Sequence, residues 1–279
     1  MKALWIAAAL GLLVAGCGRG SVPAPGGAPG SAAAPLSQTR WIPTAGTSYQ
    51  IQYDGKLDLS NDAQVYDLDM FDTSASVVAQ LHKMGKRVMC YISVGTWERW
   101  RPDAGKFPKS VLGRKDGHWA GERWLDIRQT KILEPIMSAR LALCAKKGFD
   151  GVDPDNLDGY QNKTGFPLTY AEQLTYDTWV ATAAHADNLT ADEKGDNGQV
   201  KDLVKVFDFA VVEQCYAQHW CDQFTVYTNQ NRLVVDVEYN DQVSQSRFLA
   251  KTCPSDKGYN ETPILKKLQL TAWIVTCSQ

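Results

Sequence analysis

Residues 151–160 read GVDPDNLDGY, a short apolar run that ends abruptly in carboxylates. A second run of the same kind, FDFAVVEQC, occupies residues 207–215 and reaches its acid at Glu213. A buried strand that ends in an acid is typical of a parallel barrel whose strands carry side chains to one rim. The two runs therefore predict an α/β barrel with acids at its mouth.

Strand-like and helix-like segments alternate along residues 39–279, as expected for a parallel sheet with crossover helices. Residues 76–84, for example, carry apolar side chains at helical spacing and stop at Gly85, a common helix terminus. Eight strands are predicted, the number that a (β/α)8 TIM barrel needs, and one domain of about 250 residues suits that fold. The predicted strands are residues 49–53, 65–69, 88–93, 151–155, 189–194, 207–213, 233–238 and 268–274.

The N-terminus has the pattern of a lipoprotein signal peptide, which we predict for residues 1–16. Its apolar stretch is too short to span a bilayer, and VAGC at residues 14–17 resembles a lipobox with Cys17 as the lipidated residue. Residues 17–38 are rich in Gly, Pro and Ala and predict a flexible tether. We therefore expect an exported protein that is lipid-anchored at the bacterial cell envelope, in the outer membrane of a diderm because Gly18 follows the cysteine. The alternative is an ordinary cleaved secretory signal.

The remaining six cysteines fit an oxidising compartment, where disulfides persist. Spacing suggests two pairs, one closing the loop after the strand that ends at Glu213 and one joining the last crossover to the C-terminus. Cys90 and Cys144 are left over, and Cys90 could equally be a small buried hydrophobe on the outer face of its strand. The suggested pairs are Cys215 with Cys221 and Cys253 with Cys277.

Strand alternation predicts which polar side chains share the rim. Asp153 and Asp155 lie two residues apart and point to one face, and Asp67 and Asp69 pair in the same way. Since the C-terminal ends of all parallel strands meet at one rim, acids from several strands should converge there. The residues expected at this rim are Asp69, Ser93, Asp155, Glu213 and Glu238.

Two of these acids are candidates for glycosidic bond cleavage, which uses a pair of carboxylates. Crowding keeps one carboxyl protonated as general acid while a better-solvated neighbour stays ionised as nucleophile. We assign Asp155 as nucleophile and Glu213 as acid and base. The structural alternatives are a turn that closes the strand at Asp155 and an ion pair between Glu213 and a buried cation.

Further residues are candidates for substrate binding. Asp67 and Asp69 are expected to contact substrate, or else to pair with Lys or Arg. Asp153 either contacts substrate or holds its loop, and Lys194 is expected to reach the site and lower the pKa of a carboxyl group. Aromatic rings near strand ends would stack on sugars, and we favour Tyr160 and Trp273 over Trp100 and Trp124, which we expect in the core. The full set of substrate-binding candidates is Asp67, Asp69, Tyr91, Asp153, Tyr160, Lys194, Glu238 and Trp273.

Charge and histidine placement argue against other function classes. The net charge is −2 and the chain has no basic stripe with interleaved aromatics, so nucleic-acid binding is not expected. The histidines have no metal-ligand spacing, so we predict neither a catalytic metal nor a cofactor. We expect a monomer. The histidines are His82, His118, His185 and His219.

Several long motifs together resemble the endo-alpha-1,4-polygalactosaminidase family, glycoside hydrolase family 114. They are the two acid-ending runs, VYDLDMFDTS at residues 65–74 and GERWLDIR at residues 121–128, and the likeness extends from about Trp41 to Cys277. The resemblance implies a TIM barrel that cleaves alpha-1,4-linked galactosamine polymers internally, with Asp155 and Glu213 at the catalytic positions. An acidic rim agrees with this, because de-N-acetylated galactosamine polymers are polycationic.

The sequence departs from the family pattern at three places. Asp153 and Val212 replace a typical Glu and Asn, and DEKG at residues 192–195 replaces a family-like GLKN in strand five. Charges are unusual in a buried parallel strand, so strand five is expected to fray or shift in register. Two alternatives to an active galactosaminidase therefore stay open: a lipid-anchored carbohydrate-binding protein with reduced or lost turnover, and a barrel glycosidase that acts on another alpha-glycoside.

Overall fold

Twelve β-strands form two sheets in the computed structural model, which describes residues 40–117 and 119–277. The predicted signal peptide, Cys17 and the predicted tether lie outside the described residues, as does His118. The strands are β1 (Tyr49–Gln52), β2 (Val65–Asp69), β3 (Arg87–Ser93), β4 (Thr96–Glu98), β5 (Leu112–Lys115), β6 (Glu122–Leu125), β7 (Gly151–Asp155), β8 (Thr190–Lys194), β9 (Phe209–Glu213), β10 (Val234–Tyr239), β11 (Thr262–Lys266) and β12 (Ile274–Thr276).

The larger sheet runs in the order β1-β2-β3-β7-β8-β9-β10-β11-β12. Its first eight strands pair in parallel, and β12 pairs antiparallel to β11. The ends of the parallel series meet through side chains, since Lys266 Nζ on β11 donates to Gln50 Oε1 on β1 at 2.7 Å. The chain therefore forms the single-domain (β/α)8 barrel that the sequence predicts.

Helices cover the outside of the barrel. Ser74 caps α1 by accepting a hydrogen bond from Val77 N, and Thr169 with Glu172 forms the capping box predicted before α3. α2 ends at Gly148, whose φ of 89° suits glycine. The helices are α1 (Ala75–Lys83), α2 (Thr130–Lys147), α3 (Tyr170–Ala186), α4 (Val200–Leu203), α5 (Cys215–Gln218), α6 (Thr225–Thr228), α7 (Gln245–Arg247) and α8 (Cys253–Tyr259). A π-helical segment, Phe248–Thr252, joins α7 to α8, and short 3₁₀ turns span Ala104–Lys106, Lys109–Val111, Gly159–Gln161 and Cys221–Phe224.

The eighth barrel strand differs from the prediction. The sequence suggests residues 268–274, whereas the structure uses Thr262–Lys266. Leu270 has a left-handed backbone with φ of 48°, and its carbonyl accepts hydrogen bonds from the backbone N–H groups of Tyr53 and Asp54. This turn interrupts the apolar alternation of residues 268–274, on which the predicted strand was based. Of those residues, only Ile274 enters a strand, β12.

The prediction that strand five frays or shifts in register is wrong, because this strand, β8, is regular. It pairs in parallel with both β7 and β9, and all five of its residues are buried. Its charged side chains find polar surroundings on both faces: Lys194 Nζ donates to Asp153 Oδ2 at 2.8 Å, and Tyr227 OH donates to Glu193 Oε2 at 2.6 Å. The buried charged residues of β8 therefore do not shift its register with the neighbouring strands.

Three disulfides link the described cysteines, which are Cys90–Cys144, Cys215–Cys221 and Cys253–Cys277. The two pairs suggested by spacing are confirmed. The leftover pair joins the outer face of β3 to α2 across a separation of 54 residues. Among the described residues, no helix has the length and apolar character needed to cross a membrane.

Candidate active site

A cleft of about 940 Å³ opens at the C-terminal ends of the barrel strands. In a parallel barrel this end collects side chains from every strand, which is why active sites form there. One residue at or just after each of seven strands lines the cleft: Tyr53, Asp69, Tyr91, Asp155, Lys194, Glu213 and Tyr239. Three of the five residues predicted at this rim, Asp69, Asp155 and Glu213, line the cleft, so both catalytic candidates lie in it. Ser93 is fully buried and does not line it.

Asp155 ends β7 and is held by two donors. Tyr91 OH donates to its Oδ2 at 2.9 Å, and the backbone N–H of Asn156 donates to its Oδ1 at 2.8 Å. The pKa of Asp155 is raised, because burial and the charge of Asp153 outweigh the lowering by Lys194 and by the two hydrogen bonds. Asn156 adopts φ of 66°, so a tight turn does close the strand, and the carboxylate still lines the cleft.

Glu213 ends β9 and its side chain remains 40% exposed. Its Oε1 lies 3.5 Å from Lys194 Nζ. Desolvation raises the pKa of Glu213, Lys194 lowers it, and the charge of Asp155 raises it again. Each of the two carboxyl groups therefore makes ionisation of the other less favourable, which is the condition under which one acid of a pair keeps its proton.

Lys194 is the cation at the base of this pair. Its side chain is 5% exposed, with Nζ 2.8 Å from Asp153 Oδ2 and 5.8 Å from the centre of the Tyr91 ring. This lysine, which is retained from the family pattern, lines the cleft and so reaches the site as expected. Its charge favours the ionised form of the carboxyl groups around it.

A layer of fully buried acids lies under the cleft floor. Asp67, Asp153 and Asp192 are each 0% exposed, and none of these three lines the cleft. Tyr49 OH donates to Asp67 Oδ2 at 3.2 Å, and Tyr53 OH donates to Asp153 Oδ2 at 2.7 Å. The predicted direct contact of Asp67 and Asp153 with substrate is therefore not supported, because both sit one layer deeper in the barrel.

One lysine cannot neutralise three carboxylates. Burial raises the pKa of Asp67 and of Asp192, and the neighbouring charge of Asp153 raises both further. Burial also acts to raise the pKa of Asp153, but Lys194 and its hydrogen bonds outweigh this and lower it. The ionised member of the layer is Asp153, which pairs with Lys194.

Asp69 lines the cleft as part of an ion-pair network. Its Oδ2 lies 2.5 Å from Arg101 Nη1, and its Oδ1 accepts the backbone N–H groups of Phe71 and Asp72 at 2.8 and 3.0 Å. Arg101 also pairs with Glu98 at 2.7 Å. The alternative foreseen for Asp69, a partner for Lys or Arg, is the one that the structure shows.

Tyr160, Glu238 and Trp273 do not line the cleft. Tyr160 OH donates to Asp196 Oδ1 at 3.1 Å, and Trp273 packs outside the barrel with Lys267 Nζ 5.8 Å from its ring centre. Glu238 faces outward from β10, where its Oε1 accepts the N–H groups of residues 216 and 217 at the start of α5. The adjacent residue, Tyr239, points into the cleft instead, because neighbouring strand residues face opposite sides.

The segment between β3 and α2 supplies cleft residues that the sequence did not reveal. β4, β5 and β6 form a small antiparallel sheet there, in which Glu98 pairs in register with Glu122. Burial, followed by the charges of Glu98 and Asp155, raises the pKa of Glu122 to about 8. The GERWLDIR motif contains Glu122, so a signal was present, but strand alternation could not assign it to the cleft.

Several tryptophan side chains also line the cleft. Trp100 and Trp119 are 51% and 48% exposed, and Trp220 borders the cleft at α5. The prediction that Trp100 belongs to the core is wrong, because its segment leaves the barrel. Trp124 is 6% exposed and is buried as expected, although it also lines the cleft.

An acid pair at the C-terminal end of a TIM barrel defines a glycoside hydrolase type of site. The sequence profile of glycoside hydrolase family 114 matches residues 30–279, and the chain belongs to this family. It is accordingly an O-glycosyl hydrolase whose substrate is a polysaccharide. No curated protein matches the sequence.

One solved structure agrees with this family assignment, and a second shares the fold. Aspergillus fumigatus Ega3, solved in complex with galactosamine, is 34% identical with a TM-score of 0.79, and the match covers 88% of this chain and 100% of that one. The glycoside hydrolase domain of PelA from Pseudomonas aeruginosa is 14% identical with a TM-score of 0.65, covering 84% of this chain and 99% of that one. The second match shows the fold alone. The family resemblance seen in the sequence is confirmed.

Proposed function

We propose that this protein is an endo-acting hydrolase of polysaccharides that contain alpha-1,4-linked galactosamine. The charge of the cleft is the observation that carries the proposal. Ten carboxylate residues line it against two cationic residues, Arg101 and Lys194, so it attracts a polycation. The acids are Asp54, Asp69, Asp72, Glu98, Asp116, Glu122, Asp155, Asp158, Glu213 and Asp241. The galactosamine in the similar Ega3 structure supports the same substrate class.

In the proposed mechanism, Asp155 attacks the anomeric carbon while Glu213 protonates the departing glycosidic oxygen. A nucleophile must be ionised, and the donors at Tyr91 and Asn156 and the charge of Lys194 act in that direction, against the burial that raises the pKa of Asp155. A glycosyl ester on Asp155 forms, and Glu213 then takes a proton from the water that hydrolyses it. A nucleophilic Asp155 implies that the anomeric configuration is retained.

Endo action is supported by the open cleft and its exposed aromatic side chains. Trp100 and Trp119 offer flat faces for sugar rings on the side of the β4–β6 sheet, and Trp220 does so near α5. Aromatic faces contribute large apolar contact area without fixing the length of a polymer. A chain that extends beyond both carboxylates can therefore be cut internally.

The decisive experiment is incubation of the purified protein with partially de-N-acetylated alpha-1,4-galactosamine polymer, with products read by mass spectrometry. The wild type should release short oligomers, and Glu213→Gln should release none. Asp187→Asn is the control, because this exposed acid follows α3 at the opposite end of the barrel and should leave product release unchanged. Polymer that binds but stays intact would favour the carbohydrate-binding alternative, and cleavage of a neutral alpha-glucan would favour a different alpha-glycosidase.

We also propose that Cys17 carries a lipid anchor and that the protein acts as a monomer at the cell envelope. Three disulfides agree with an oxidising compartment outside the cytoplasm. Cys17→Ser should move the protein from the membrane fraction to the soluble fraction and abolish incorporation of labelled fatty acid. Unchanged fractionation would contradict the anchor, and a dimer mass in light scattering would contradict the monomer.

A further inference from the structure

The residue that follows the proposed nucleophile has an unusual backbone. Asn156 adopts φ of 66°, in the left-handed region that residues other than glycine seldom occupy. In this conformation its backbone N–H points back to Asp155 and donates to Oδ1 at 2.8 Å. Tyr91 OH donates to the other oxygen, Oδ2, at 2.9 Å. Because one donor holds each oxygen, the orientation of the Asp155 carboxylate depends on the backbone of Asn156.

The side chain of Asn156 is tethered to the turn at the end of β3, residues 93–96. Its Nδ2 donates to Ser93 Oγ at 3.0 Å and, over a longer distance of 3.4 Å, to Thr96 Oγ1. Both of these acceptors are fully buried. The tether therefore joins the residue after β7 to the end of the neighbouring strand, and it restricts the backbone that carries the Asn156 N–H.

Ser93 is held in place by its own hydrogen bonds. Its Oγ accepts from the backbone N–H of Thr96 at 3.1 Å as well as from Asn156, so both of its acceptor positions are used. The hydroxyl hydrogen is then left for Thr96, whose Oγ1 lies 2.6 Å away. This arrangement satisfies the whole hydrogen-bonding capacity of Ser93, and it requires the Asn156 amide.

The backbones of the two segments are also in contact. The N–H groups of Val94 and Gly95 donate to the carbonyl oxygen of Asp155 at 3.0 and 3.3 Å. A Cβ atom at Gly95 would overlap the carbonyl oxygen of Asn156, so this approach requires glycine. The turn thus holds residues 155 and 156 through backbone and side-chain contacts together.

A buried arginine anchors the turn from the helix layer. Arg140 on α2 is 2% exposed, and its Nη1 donates to the carbonyl oxygen of Ser93 at 2.7 Å. Its Nε and Nη2 donate to Asp103 at 2.8 and 2.9 Å. The rings of Phe71 and Phe107 have their centres 5.8 and 5.3 Å from the guanidinium carbon. Because the arginine is fixed on several sides, Ser93 has a firm support.

We propose that Ser93 and Asn156 are positioning residues for the nucleophile. Ser93 holds the amide of Asn156, the tether keeps Asn156 in its left-handed conformation, and the backbone N–H then orients Asp155. Strained backbone of this kind persists where the surrounding structure determines it, and it is common at active sites. The inference rests on the proposed function, since it takes Asp155 as the attacking group. Both residues act through the carboxylate and need not contact the substrate.

The same hydrogen bond affects the ionisation of Asp155. Burial and the charge of Asp153 raise its pKa, whereas Lys194 and the hydrogen bonds from Tyr91 and Asn156 lower it. None of the other groups changes when the tether is removed, so loss of the Asn156 donor should raise the pKa of Asp155 further. The remaining titratable groups that interact with this carboxyl are Glu122, Asp158, Glu213 and Tyr239.

The test is Ser93→Ala, which leaves Asp155 and Asn156 themselves unchanged. We expect kcat on the galactosamine polymer to fall about 10- to 100-fold with KM within about twofold of the wild type, because misplacement affects the reaction more than binding. The acidic limb of the pH profile of kcat/KM should move to higher pH. In protein labelled with [13C]aspartate, NMR titration of the Asp155 signal, assigned with Asp155→Asn, should show the same rise in pKa without substrate.

Asn156→Gly is the second variant and keeps the proposal testable if Ser93→Ala does not fold. Glycine accepts the left-handed backbone but carries no tether, so kcat should fall and the pKa of Asp155 should rise here too. Asn188→Gly is the matched control. Asn188 is also left-handed, with φ of 59°, but it is exposed and lies between α3 and β8. This variant should keep the wild-type kcat and the wild-type pKa of Asp155.

A lower melting temperature with unchanged kcat and an unchanged pKa of Asp155 would show that the tether only stabilises the fold, and would overturn the proposal. Equal changes in Asn188→Gly would overturn it as well, because the effect would then not depend on the contact with Ser93. A wild type that releases no oligomers would reject the proposed function instead. The NMR comparison needs no substrate, so it would still decide whether Ser93 and Asn156 hold the carboxylate.

Discussion

Glu213 and Glu238 both lie near the C-terminal ends of neighbouring barrel strands, yet their surroundings differ. Glu213 points into the cleft, is 40% exposed and lies 3.5 Å from Lys194. Glu238 points outward, is fully buried and caps α5. The difference arises because Glu213 is in register with Val237, which faces inward, and Glu238 is the next residue along β10 and therefore faces the opposite side. A difference of one residue in strand phase separates the proposed catalytic acid from one that caps a helix.

The comparison extends to the groups around each acid. Inside the barrel, Lys194 and several tyrosine hydroxyls compensate the carboxylates under and around the cleft. Outside the barrel, Asp236, Asp256 and Glu261 are buried, and no salt bridge among the described residues reaches them. The first environment holds carboxylates in different protonation states, as acid–base chemistry needs, and the second favours neutralisation by protons or a cation.

The largest expected effect is on turnover at the cleft. Asp155→Asn and Glu213→Gln should each lower kcat by about a thousandfold or more, because each removes a group needed in the transition state. Circular dichroism and melting temperature should stay close to the wild type. A near-normal kcat in either folded variant would contradict the assignment of that residue as a catalytic acid.

Lys194→Met tests the compensation inside the barrel. Removing the cation leaves Asp153 buried and unpaired, and the free energy of unfolding should fall by about 3 kcal/mol at pH 7. In the wild type the pKa of Asp153 lies below its usual value, so its stabilisation is present above about pH 4 and is lost as the pH falls. The deficit of the variant should therefore be largest at pH 7 and should shrink toward pH 4. Urea unfolding at both pH values measures this.

Lys205→Met is the matched control for that experiment. Lys205 is 67% exposed and pairs with Asp202 on the surface, where an ion pair contributes little. Its free energy of unfolding should differ from the wild type by less than about 0.5 kcal/mol at either pH. Equal effects at the two lysines would mean that Lys194 has no special role in the barrel.

Glu122 offers a smaller, pH-dependent test of the cleft charge. Its pKa of about 8 means that it loses its negative charge as the pH falls through that value. The KM for a cationic polymer should therefore rise about two- to threefold between pH 9 and pH 7, in addition to any change caused by the substrate amines. Glu122→Gln lacks this contribution, so the ratio of KM values for variant and wild type should fall toward one at pH 7. A ratio independent of pH would show that Glu122 does not titrate in this range.

The smallest effect is expected for Glu238→Gln. Since Glu238 faces away from the cleft, kcat should change by less than about threefold, and the loss of a charged cap should cost about 1 kcal/mol of stability. Steady-state kinetics and thermal unfolding of Glu238→Gln beside Glu213→Gln give the direct comparison. A large loss of kcat at Glu238 with an unchanged melting temperature would contradict its outward placement.

Much of the barrel and its two main acids could be read from the sequence. Runs such as residues 151–155 end in carboxylates, and alternation puts Asp153 and Asp155 on one face without any knowledge of the rest of the chain. These inferences succeed because backbone geometry enforces a period of two within a strand and parallel strands share one rim. The same local rules explain the capping box at Thr169.

Other features depended on contacts between distant segments. Alternation shows that Asp236 and Glu238 share a face, but not that this face meets α5 and α8. It also cannot show that Asp153 lies beneath the cleft floor, or that the β4–β6 sheet folds over the barrel and brings Glu122 to the site. Strand periodicity is a property of the local backbone, whereas depth, facing direction and loop placement arise only when the barrel closes and its layers pack together.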